Sequence, residues 1–241
     1  MNKKIIKPKF LDVLFIVDVT GSMGNLIYEA QNKMRDILKE LSSEYILSVK
    51  VGLSVYRDHP TQDFSFVTCV FDLREPSDIQ DPLNSLEAAG GGDTPEAIID
   101  GVIDGVEGMS WREGSRRVAF LIGDAPAHGM CNGENVCQCG RSWGDAVAAA
   151  AKRNVTIYSL CLTNDQIARE NFSMFAQFTG GLLLNVSEGA FGAVMEALKS
   201  QAKDLVLSDQ VIELLAKNED PDEICKKLQI KREDLAKHTP V

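Results

Sequence analysis

The sequence has little positive charge for its length. Its 241 residues include 25 lysines and arginines against 35 aspartates and glutamates, which gives a formal net charge of −10. Proteins that bind phosphate backbones need a surplus of Lys and Arg on some face. We therefore do not expect a nucleic-acid partner.

The sequence also lacks a long apolar run. A membrane-spanning helix needs roughly 20 apolar residues, and no stretch approaches that length. Lys3, Lys4 and Lys7 precede a short apolar run at residues 13–17, but a signal peptide needs roughly 7–15 apolar residues there. We expect neither a membrane span nor a signal peptide, and we expect a cytoplasmic protein.

Half of the cysteines lie in one loop. Of six in the chain, Cys131, Cys137 and Cys139 follow His128 within a single glycine-rich loop. Together these four residues could form a tetrahedral zinc site, although their spacing matches no standard zinc finger. Zinc, a disulfide and free thiols all remain open, but so long a loop favours some form of staple.

Short apolar runs alternate with helical patterns along most of the chain. The predicted strands are residues 11–17, 48–56, 64–71, 117–122, 155–162 and 182–186. The predicted helices are residues 26–41, 79–88, 95–106, 145–152 and 171–178, with another from about residue 190. This alternation predicts an α/β fold with a doubly wound, mostly parallel central sheet flanked by helices. The short link between the second and third strands predicts one antiparallel edge strand.

The sequence changes character near its C-terminus. We expect residues 1–205 to form the main domain and residues 206–241 a small helical C-terminal tail. The tail loosely resembles the helix-turn-helix tail of bacterial regulators, with a local basic patch. The basic residues are Lys226, Lys227, Lys231 and Arg232. One short tri-helical segment on an acidic chain would bind DNA weakly, so we favour an appendage that packs on the domain or docks a partner.

Oxygen-bearing side chains follow the first predicted strand. Asp18, Thr20 and Ser22 occupy alternate positions in a glycine-containing turn. This spacing lets one carboxylate and two hydroxyls point the same way. Such hard oxygen ligands suit Mg²⁺ or Mn²⁺.

Two further oxygen donors are placed at comparable points. Asp124 follows the strand at residues 117–122, and Thr94 precedes Pro95 at a predicted helix start, where it would serve as the N-cap. Each residue alone also fits a cap or a turn. In parallel sheets, however, ligands bind beyond the carboxyl ends of the strands, and the combination is hard to explain by chance.

Together these residues resemble the metal-ion-dependent adhesion site of the von Willebrand factor A family. The family pattern is Asp-x-Ser-x-Ser, then a distant Thr and a distant Asp. The matching residues are Asp18, Thr20, Ser22, Thr94 and Asp124. Thr20 departs from the usual Ser, but its hydroxyl has the same donor and acceptor chemistry. The resemblance covers roughly residues 10–205 and implies a Rossmann-like fold.

Two segments are similar to intracellular members of this family, including the A domains joined to atypical alpha-kinases. They are VYRDH at residues 55–59 and DAPAHG at residues 124–129. The chain shows no kinase domain and no glycine-rich phosphate loop with a Lys.

The resemblance implies a mechanism. In the family the two hydroxyls bind the ion directly, and the Thr and the two Asp bind it directly or through water. One coordination position is left for a carboxylate of a partner protein. We therefore expect a metal-dependent protein–protein interaction module that holds Mg²⁺ or Mn²⁺ and binds an Asp or Glu of its partner.

Residues beside the expected metal site could support it. Arg57, Asp58 and His59 follow the second strand, and Asp93 adjoins Thr94. They could orient the metal ligands or contact the partner. The alternative is a turn after the strand held by an Arg–Asp pair.

Two other functions remain open. A regulatory subunit could act through the helix-turn-helix-like tail. A Mg²⁺-dependent phosphohydrolase of the haloacid dehalogenase type would need a second Asp two residues after the first, where this chain has Thr20. We expect no Ser-His-Asp nucleophile elbow either, and therefore no enzyme.

Overall fold

A computed structural model describes residues 9–32, 47–186 and 189–238 of the chain. Its strands are β1 (Lys9–Asp18), β2 (Leu47–Tyr56), β3 (Thr68–Arg74), β4 (Arg116–Gly123) and β5 (Val155–Cys161). Its helices begin with α1, described over residues 24–32 after a short 3-10 turn at Gly21–Met23. The others are α2 (Gln80–Asn84), α3 (Ile98–Gly108), α4 (Trp143–Lys152), α5 (Gln166–Phe178), α6 (Ala190–Ala216), α7 (Pro221–Leu228) and α8 (Arg232–His238).

The five strands form one sheet in the order β3-β2-β1-β4-β5. Strand β1 runs parallel to β2 and β4, and β5 runs parallel to β4. Strand β3 pairs with β2 in the antiparallel sense at the edge. The predicted mostly parallel sheet with one antiparallel edge strand is therefore confirmed.

The parallel register brings three strand ends together. Asp18 is level with Tyr56 across β1 and β2, and Val17 is level with Ile122 across β1 and β4. The segments that leave these strands consequently start at one edge of the sheet. That edge carries the predicted metal ligands.

Several predicted boundaries differ from the structure. Residues 182–186 form no strand; Leu183 makes only an isolated bridge with Ser159. The apolar residues of this run favoured a strand. In the described structure, however, the run pairs with β5 only through this single bridge. Helix α3 begins at Ile98, not at residue 95, and α5 begins at Gln166, not at residue 171. Residues 33–41 of the first predicted helix, and the basic residues near the N-terminus, lie outside the described residues.

The central strand is buried along most of its length. Residues 11–18 of β1 are all buried, including the charged Asp12. The Asp12 carboxylate accepts hydrogen bonds from the backbone N–H of Arg112 at 2.9 Å and from its Nε at 2.6 Å. Burial of a carboxylate is tolerated only with such pairing, so this contact fixes the end of β1 opposite the metal ligands.

Helix α3 packs unusually close to β2 because of its glycines. A Cβ added at Gly101 would lie 2.7 Å from Tyr56 Cδ1, and one added at Gly105 would lie 2.7 Å from Ser54 Cβ. Glycine inside a helix costs about 1 kcal/mol relative to alanine. The close packing of α3 on β2 offsets this cost. It also places Asp100, in the first turn of α3, against residues that follow β2.

The chain forms two compact units, Met1–Ala197 and Leu198–Val241. The smaller unit has its own apolar core of Val211, Leu214, Ile224 and Leu235. Helix α7 starts at an Asp220 N-cap, and its first helical residue is Pro221. The boundary expected after residue 205 lies within α6, so we retain it only as a proposal. No helix in the described part of the chain is long and apolar enough to cross a membrane.

We expect Gly101→Ala to lower the free energy of unfolding by about 1–3 kcal/mol. The added methyl group would overpack the buried Tyr56 ring, which outweighs the gain in helix propensity. Gly144→Ala in α4 is the matched control: the nearest atom, Ser142 Oγ, lies 3.5 Å away. The control should be neutral or stabilising by up to about 1 kcal/mol. Urea unfolding measures both, and equal stability of the two variants would contradict the close-packing argument.

Candidate metal centre

Asp18 ends the central strand with its carboxylate fully buried. Its Oδ1 accepts hydrogen bonds from the Thr20 backbone N–H at 2.8 Å and from Thr20 Oγ1 at 2.6 Å. These two bonds close the turn that follows β1. The next backbone N–H, that of Val19, still donates to Tyr56 O at 3.0 Å, so the turn begins directly at the edge of the sheet.

Two hydroxyls continue this cluster towards the surface. Thr20 Oγ1 lies 3.3 Å from Ser22 Oγ, and Ser22 Oγ donates to Asp124 Oδ1 at 3.1 Å. Thr20 is buried, Asp124 half-buried and Ser22 exposed. The structure thus brings four of the five predicted metal ligands into one connected group.

One oxygen of this group lacks a donor. Asp18 Oδ2 is buried and has no hydrogen-bond partner within the described residues. Burial raises the pKa of Asp18 to about 7, against the lowering effect of the bonds from Thr20, and the charges of Asp124 and Asp58 raise it further. An unpartnered carboxylate oxygen in a low-dielectric environment is costly, and a cation is the partner that would satisfy it.

Glu96 is a carboxylate that the sequence reasoning missed. Its Oε2 is also buried and unpartnered among the described residues. Burial raises the pKa of Glu96 to about 9, followed by the effect of neighbouring negative charges. The contributing aspartates are Asp18, Asp58, Asp93 and Asp124. Its position two residues after Thr94 was the only signal available in the sequence.

Thr94 itself stands apart from the group. It is exposed, and no hydrogen bond in the described part of the chain joins it to the other predicted ligands. Its predicted role as the N-cap of α3 is wrong, because the N-cap is Ala97. Glu96 first forms a bridge with Ala127, in which Glu96 N–H donates to Pro126 O at 2.9 Å. That pairing keeps the chain extended past Thr94.

The glycine run before Thr94 nevertheless contacts the metal-ligand turn. Gly21 N–H donates to Gly90 O at 3.3 Å, and Ala89 N–H donates to Val19 O at 3.1 Å. Gly91 has a φ of +77°, and a Cβ there would lie 3.2 Å from Thr20 Cβ. This left-handed, closely packed position favours glycine. The run therefore places the segment that carries Thr94 at the same edge as Asp18.

Asp93 contacts one residue that follows β2 and one that follows β4. Its Oδ2 accepts a hydrogen bond from Gln62 Nε2 at 3.2 Å, and its Oδ1 lies 3.8 Å from His128 Nε2. Asp93 contributes negative charge to the site through this contact and through its effect on Glu96.

Arg57 organises a neighbouring loop and does not contact the metal group. It donates to Ser65 Oγ at 2.8 Å and to Glu87 O at 2.9 Å, and its guanidinium lies over the Phe66 ring. It also lies 3.9 Å from Asp63 Oδ2. The Arg–Asp pair expected in this turn therefore involves Asp63 and not Asp58.

Asp58 and His59 are fully buried, so neither side chain reaches a partner surface in this structure. Asp58 Oδ1 accepts a hydrogen bond from His59 N–H at 2.7 Å and lies 3.0 Å from His128 Nε2. Burial, as the largest cause, raises the pKa of Asp58. His59 Nε2 lies 2.9 Å from Asp100 Oδ2. These contacts form a buried polar layer beneath the metal ligands.

The predicted grouping of His128 with three cysteines is not formed. His128 packs edge-on against the His59 ring, with centroids 5.2 Å apart. Cys137 and Cys139 instead lie with His59 and Asp100, and Cys131 does not join them. The six cysteines, all within the described residues, are free thiols. The sequence could not show this because the partners of Cys137 and Cys139 come from distant segments.

A groove of about 360 Å³ opens beside the exposed end of the metal group. Ser22 and Asp124 line it, together with Asn25, Glu29 and Leu162. The group is therefore accessible from solvent on the side where the hydroxyl chain ends.

We expect the metal-free protein to lose stability as pH rises from about 4 towards 9. Asp18 and Glu96 have pKa values of about 7 and about 9 in the folded state, against ordinary values of 3.8 and 4.5. At these two groups the folded state therefore holds more protons than the unfolded chain across this window. Their contribution is complete below about pH 4 and is lost as pH rises through the two folded-state pKa values.

Urea unfolding in EDTA at several pH values measures this dependence. Asp18→Asn should flatten the slope relative to wild type, because one of the two raised groups no longer titrates. Asp78→Asn, which alters an exposed carboxylate, is the control and should leave the slope unchanged. A slope that is equal in wild type and Asp18→Asn would contradict the assignment.

Comparisons with known proteins agree with this geometry. A family profile described as the von Willebrand factor A domain matches residues 12–188. Alpha-protein kinase vwkA of Dictyostelium discoideum is 34% identical over 130 residues, which are 53% of this chain and 20% of that protein. The chain thus spans about one fifth of the length of this curated relative.

Solved structures show the same fold at low identity. The pilus adhesin SpaC of Lactobacillus rhamnosus GG matches with a TM-score of 0.56 and 15% identity over 85% of this chain and 31% of that one. Proximal thread matrix protein 1 of the mussel byssus matches with a TM-score of 0.53 and 14% identity over 83% and 46% of the two chains. The family profile covers well over half of the 241 residues, and this chain therefore belongs to the von Willebrand factor A domain family.

Proposed function

We propose that this domain is a metal-dependent protein–protein interaction module. It holds one Mg²⁺ or Mn²⁺ ion, and an Asp or Glu of a partner protein completes the coordination. The proposed ligands are Asp18, Thr20, Ser22, Thr94 and Asp124. The observation that carries the proposal is the connected group of oxygen side chains at the ends of β1 and β4. One buried carboxylate oxygen of this group, Asp18 Oδ2, has no donor among the residues that the structure describes.

The donor set fits a hard divalent cation. All of the proposed ligands offer oxygen, which Mg²⁺ and Mn²⁺ prefer. Thr20 and Ser22 contribute neutral hydroxyls, so the bound ion keeps part of its positive charge. Such an ion attracts an incoming carboxylate, and charge-assisted contacts of this kind are strong.

The negative charge around the site makes the ion necessary for such a partner. Besides Asp18 and Asp124, the carboxylates of Asp58 and Asp93 act on the same region. Without a cation, this cluster would repel an acidic side chain. With the ion in place, the exposed Ser22 and the adjoining groove give the partner a route to it.

Thr94 is included because of the family pattern and because its loop is tied to the ligand turn. The bonds from Gly21 N–H to Gly90 O and from Ala89 N–H to Val19 O hold that loop at the metal edge. Its exposed hydroxyl lies outside the hydrogen-bonded group, so its coordination rests on the family resemblance.

The contacts of the tail do not favour the alternative, a regulatory role of the tail through DNA. Each basic residue of the predicted patch lies near a carboxylate. The pairs are Lys226–Glu223 at 2.7 Å, Lys227–Glu219 at 3.0 Å, Lys231–Glu233 at 3.5 Å and Arg232–Asp222 at 3.0 Å. This pairing reduces the charge available to phosphates.

We propose no catalytic role for the domain. The alpha-protein kinase relative carries an enzyme name, but this chain matches only one fifth of it. Phosphoryl chemistry of the haloacid dehalogenase type would need an acid where Thr20 stands.

We expect Mg²⁺ or Mn²⁺ to raise the thermal unfolding midpoint relative to EDTA. A ligand at 100 times its Kd stabilises the native state by about 2.7 kcal/mol, which corresponds to a shift of roughly 5–10 °C for a protein of this size. Asp18→Ala should abolish the shift, whereas Asp78→Ala, at an exposed site outside the group, should retain it. An equal shift in all three proteins would place the ion elsewhere.

We expect partner binding to require both the ion and the Ser22 hydroxyl. Partners would be captured on the wild-type domain in Mg²⁺ and compared with capture in EDTA and on Ser22→Ala. Acidic residues of a retained partner would then be changed singly to the matching amides. One such change should lower affinity as much as EDTA does. A partner that binds equally well in EDTA, or that tolerates every amide substitution, would contradict the proposed contact.

A further inference from the structure

A second cluster of metal-binding side chains lies beneath the proposed magnesium site. One ligating atom from each of His59, Asp100, Cys137 and Cys139 falls within 4.8 Å of every other. The four residues come from three separate segments: the turn after β2, the first turn of α3, and the segment between β4 and α4. His59, Asp100 and Cys137 are buried, and Cys139 is exposed.

We propose that these four residues form a structural zinc site, separate from the site for Mg²⁺. Two thiolates, one imidazole and one carboxylate are ligand types that zinc binds in tetrahedral sites. Thiolates are soft ligands that favour Zn²⁺ over Mg²⁺. The two sites would therefore select different metals by their chemistry.

The distances fit a tetrahedron after small adjustments. Bonds of roughly 2.0–2.3 Å to zinc correspond to edges of roughly 3.3–3.8 Å between ligand atoms. His59 Nε2 and Asp100 Oδ2 are 2.9 Å apart, and no pair of ligand atoms exceeds 4.8 Å. Shifts of about an ångström or less in side-chain positions would bring all four into range.

The ion and a neighbouring arginine offset most of the negative charge of the four ligands. Two thiolates and one carboxylate carry three negative charges, of which the ion offsets two. Arg141 Nη1 lies 3.0 Å from Asp100 Oδ1 and 2.7 Å from Asp104 Oδ1. The guanidinium supplies a further positive charge and orients Asp100, whose other oxygen, Oδ2, faces His59.

A zinc ion would account for an unpartnered buried nitrogen. His59 Nδ1 is buried with no hydrogen bond in the described ranges, and it lies 3.6 Å from Asp58 Oδ1. A metal on Nε2 places the imidazole proton on Nδ1, and a small movement of the ring would let it be donated to Asp58. Metal-binding histidines usually have such a carboxylate or carbonyl partner, which fixes the ring.

The ion would staple a long irregular connection to the domain core. Residues 124–142 join β4 to α4 without a helix or strand of their own. Within this segment, Cys137 N–H donates to Arg141 O at 2.8 Å. Coordination by Cys137 and Cys139 would fasten the segment to α3 and to the turn after β2. Irregular segments of this length are uncommon without such support.

The test uses the full chain, purified under reducing conditions, with Zn²⁺ and Co²⁺ as probes. We expect one equivalent of tightly held zinc. Replacement by Co²⁺ should give thiolate-to-cobalt charge-transfer absorption and the visible bands typical of tetrahedral coordination. Asp18→Ala should retain these bands, because the proposed magnesium ligands include no sulfur. Failure of the magnesium site is thereby distinguished from failure of this one.

Cys139→Ser is the principal variant, because Cys139 is exposed and its replacement leaves the core intact. Loss of the hydrogen-bond partner of a metal ligand lowers metal affinity roughly 10–100-fold. Because Cys139→Ser changes a ligand itself, it should lower the affinity for Co²⁺ and Zn²⁺ by more than that. Cys131→Ser, in the same loop but outside the cluster, should bind as wild type does. Asp58→Asn, a positioning change, should weaken affinity about 10–100-fold while keeping the tetrahedral cobalt spectrum.

Four results would overturn the proposal. The reduced wild-type protein could show no charge-transfer absorption, or Cys139→Ser could bind cobalt as wild type does. Loss of the bands in Cys131→Ser would instead assign the ligands to the loop alone. Two fewer titratable thiols in the metal-free protein, without added oxidant, would indicate a disulfide between Cys137 and Cys139 and would equally refute it.

Discussion

The buried carboxylate at the end of the central strand is the constraint on which the rest of the site depends. Asp18 is fully enclosed, yet one of its oxygens has no donor among the described residues. The turn through Thr20 satisfies the other oxygen with two hydrogen bonds. The parallel register of β1 with β2 and β4 then fixes which segments can approach. The packing of the glycine run and the position of Asp124 both follow from that placement.

Much of this architecture could be predicted because the signals are local. Buried parallel strands are continuous apolar runs, and the short link after β2 requires an antiparallel partner. The alternation of Asp18, Thr20 and Ser22 is likewise visible in five residues of sequence. Prediction failed where tertiary pairing overrode a local pattern. Helix α3 begins later than predicted because Glu96 bonds to the strand-like segment near Ala127. No periodicity in residues 95–106 reveals this pairing.

The cysteine loop shows the same limit for ligand sets. Proximity in sequence suggested His128 and Cys131 as partners for the two later cysteines. The fold supplies His59 and Asp100 instead, from the turn after β2 and from α3. The close approach of α3, which glycine permits, is what brings Asp100 there. Such a set can be recognised only when the sheet order and the helix packing are known.

Asp58 lies between the two groups of ligands and touches the surroundings of both. It faces His59 Nδ1, and its charge raises the pKa of Asp18 and of Glu96. A cation bound to His59 would partly neutralise the charge of Asp58 and so lessen its effect on Asp18 and Glu96. The two ions would then be thermodynamically linked, with each altering the affinity of the other by the same factor. Occupancy of the zinc site would in that way change the affinity of the domain for Mg²⁺, without any contact between the two ions.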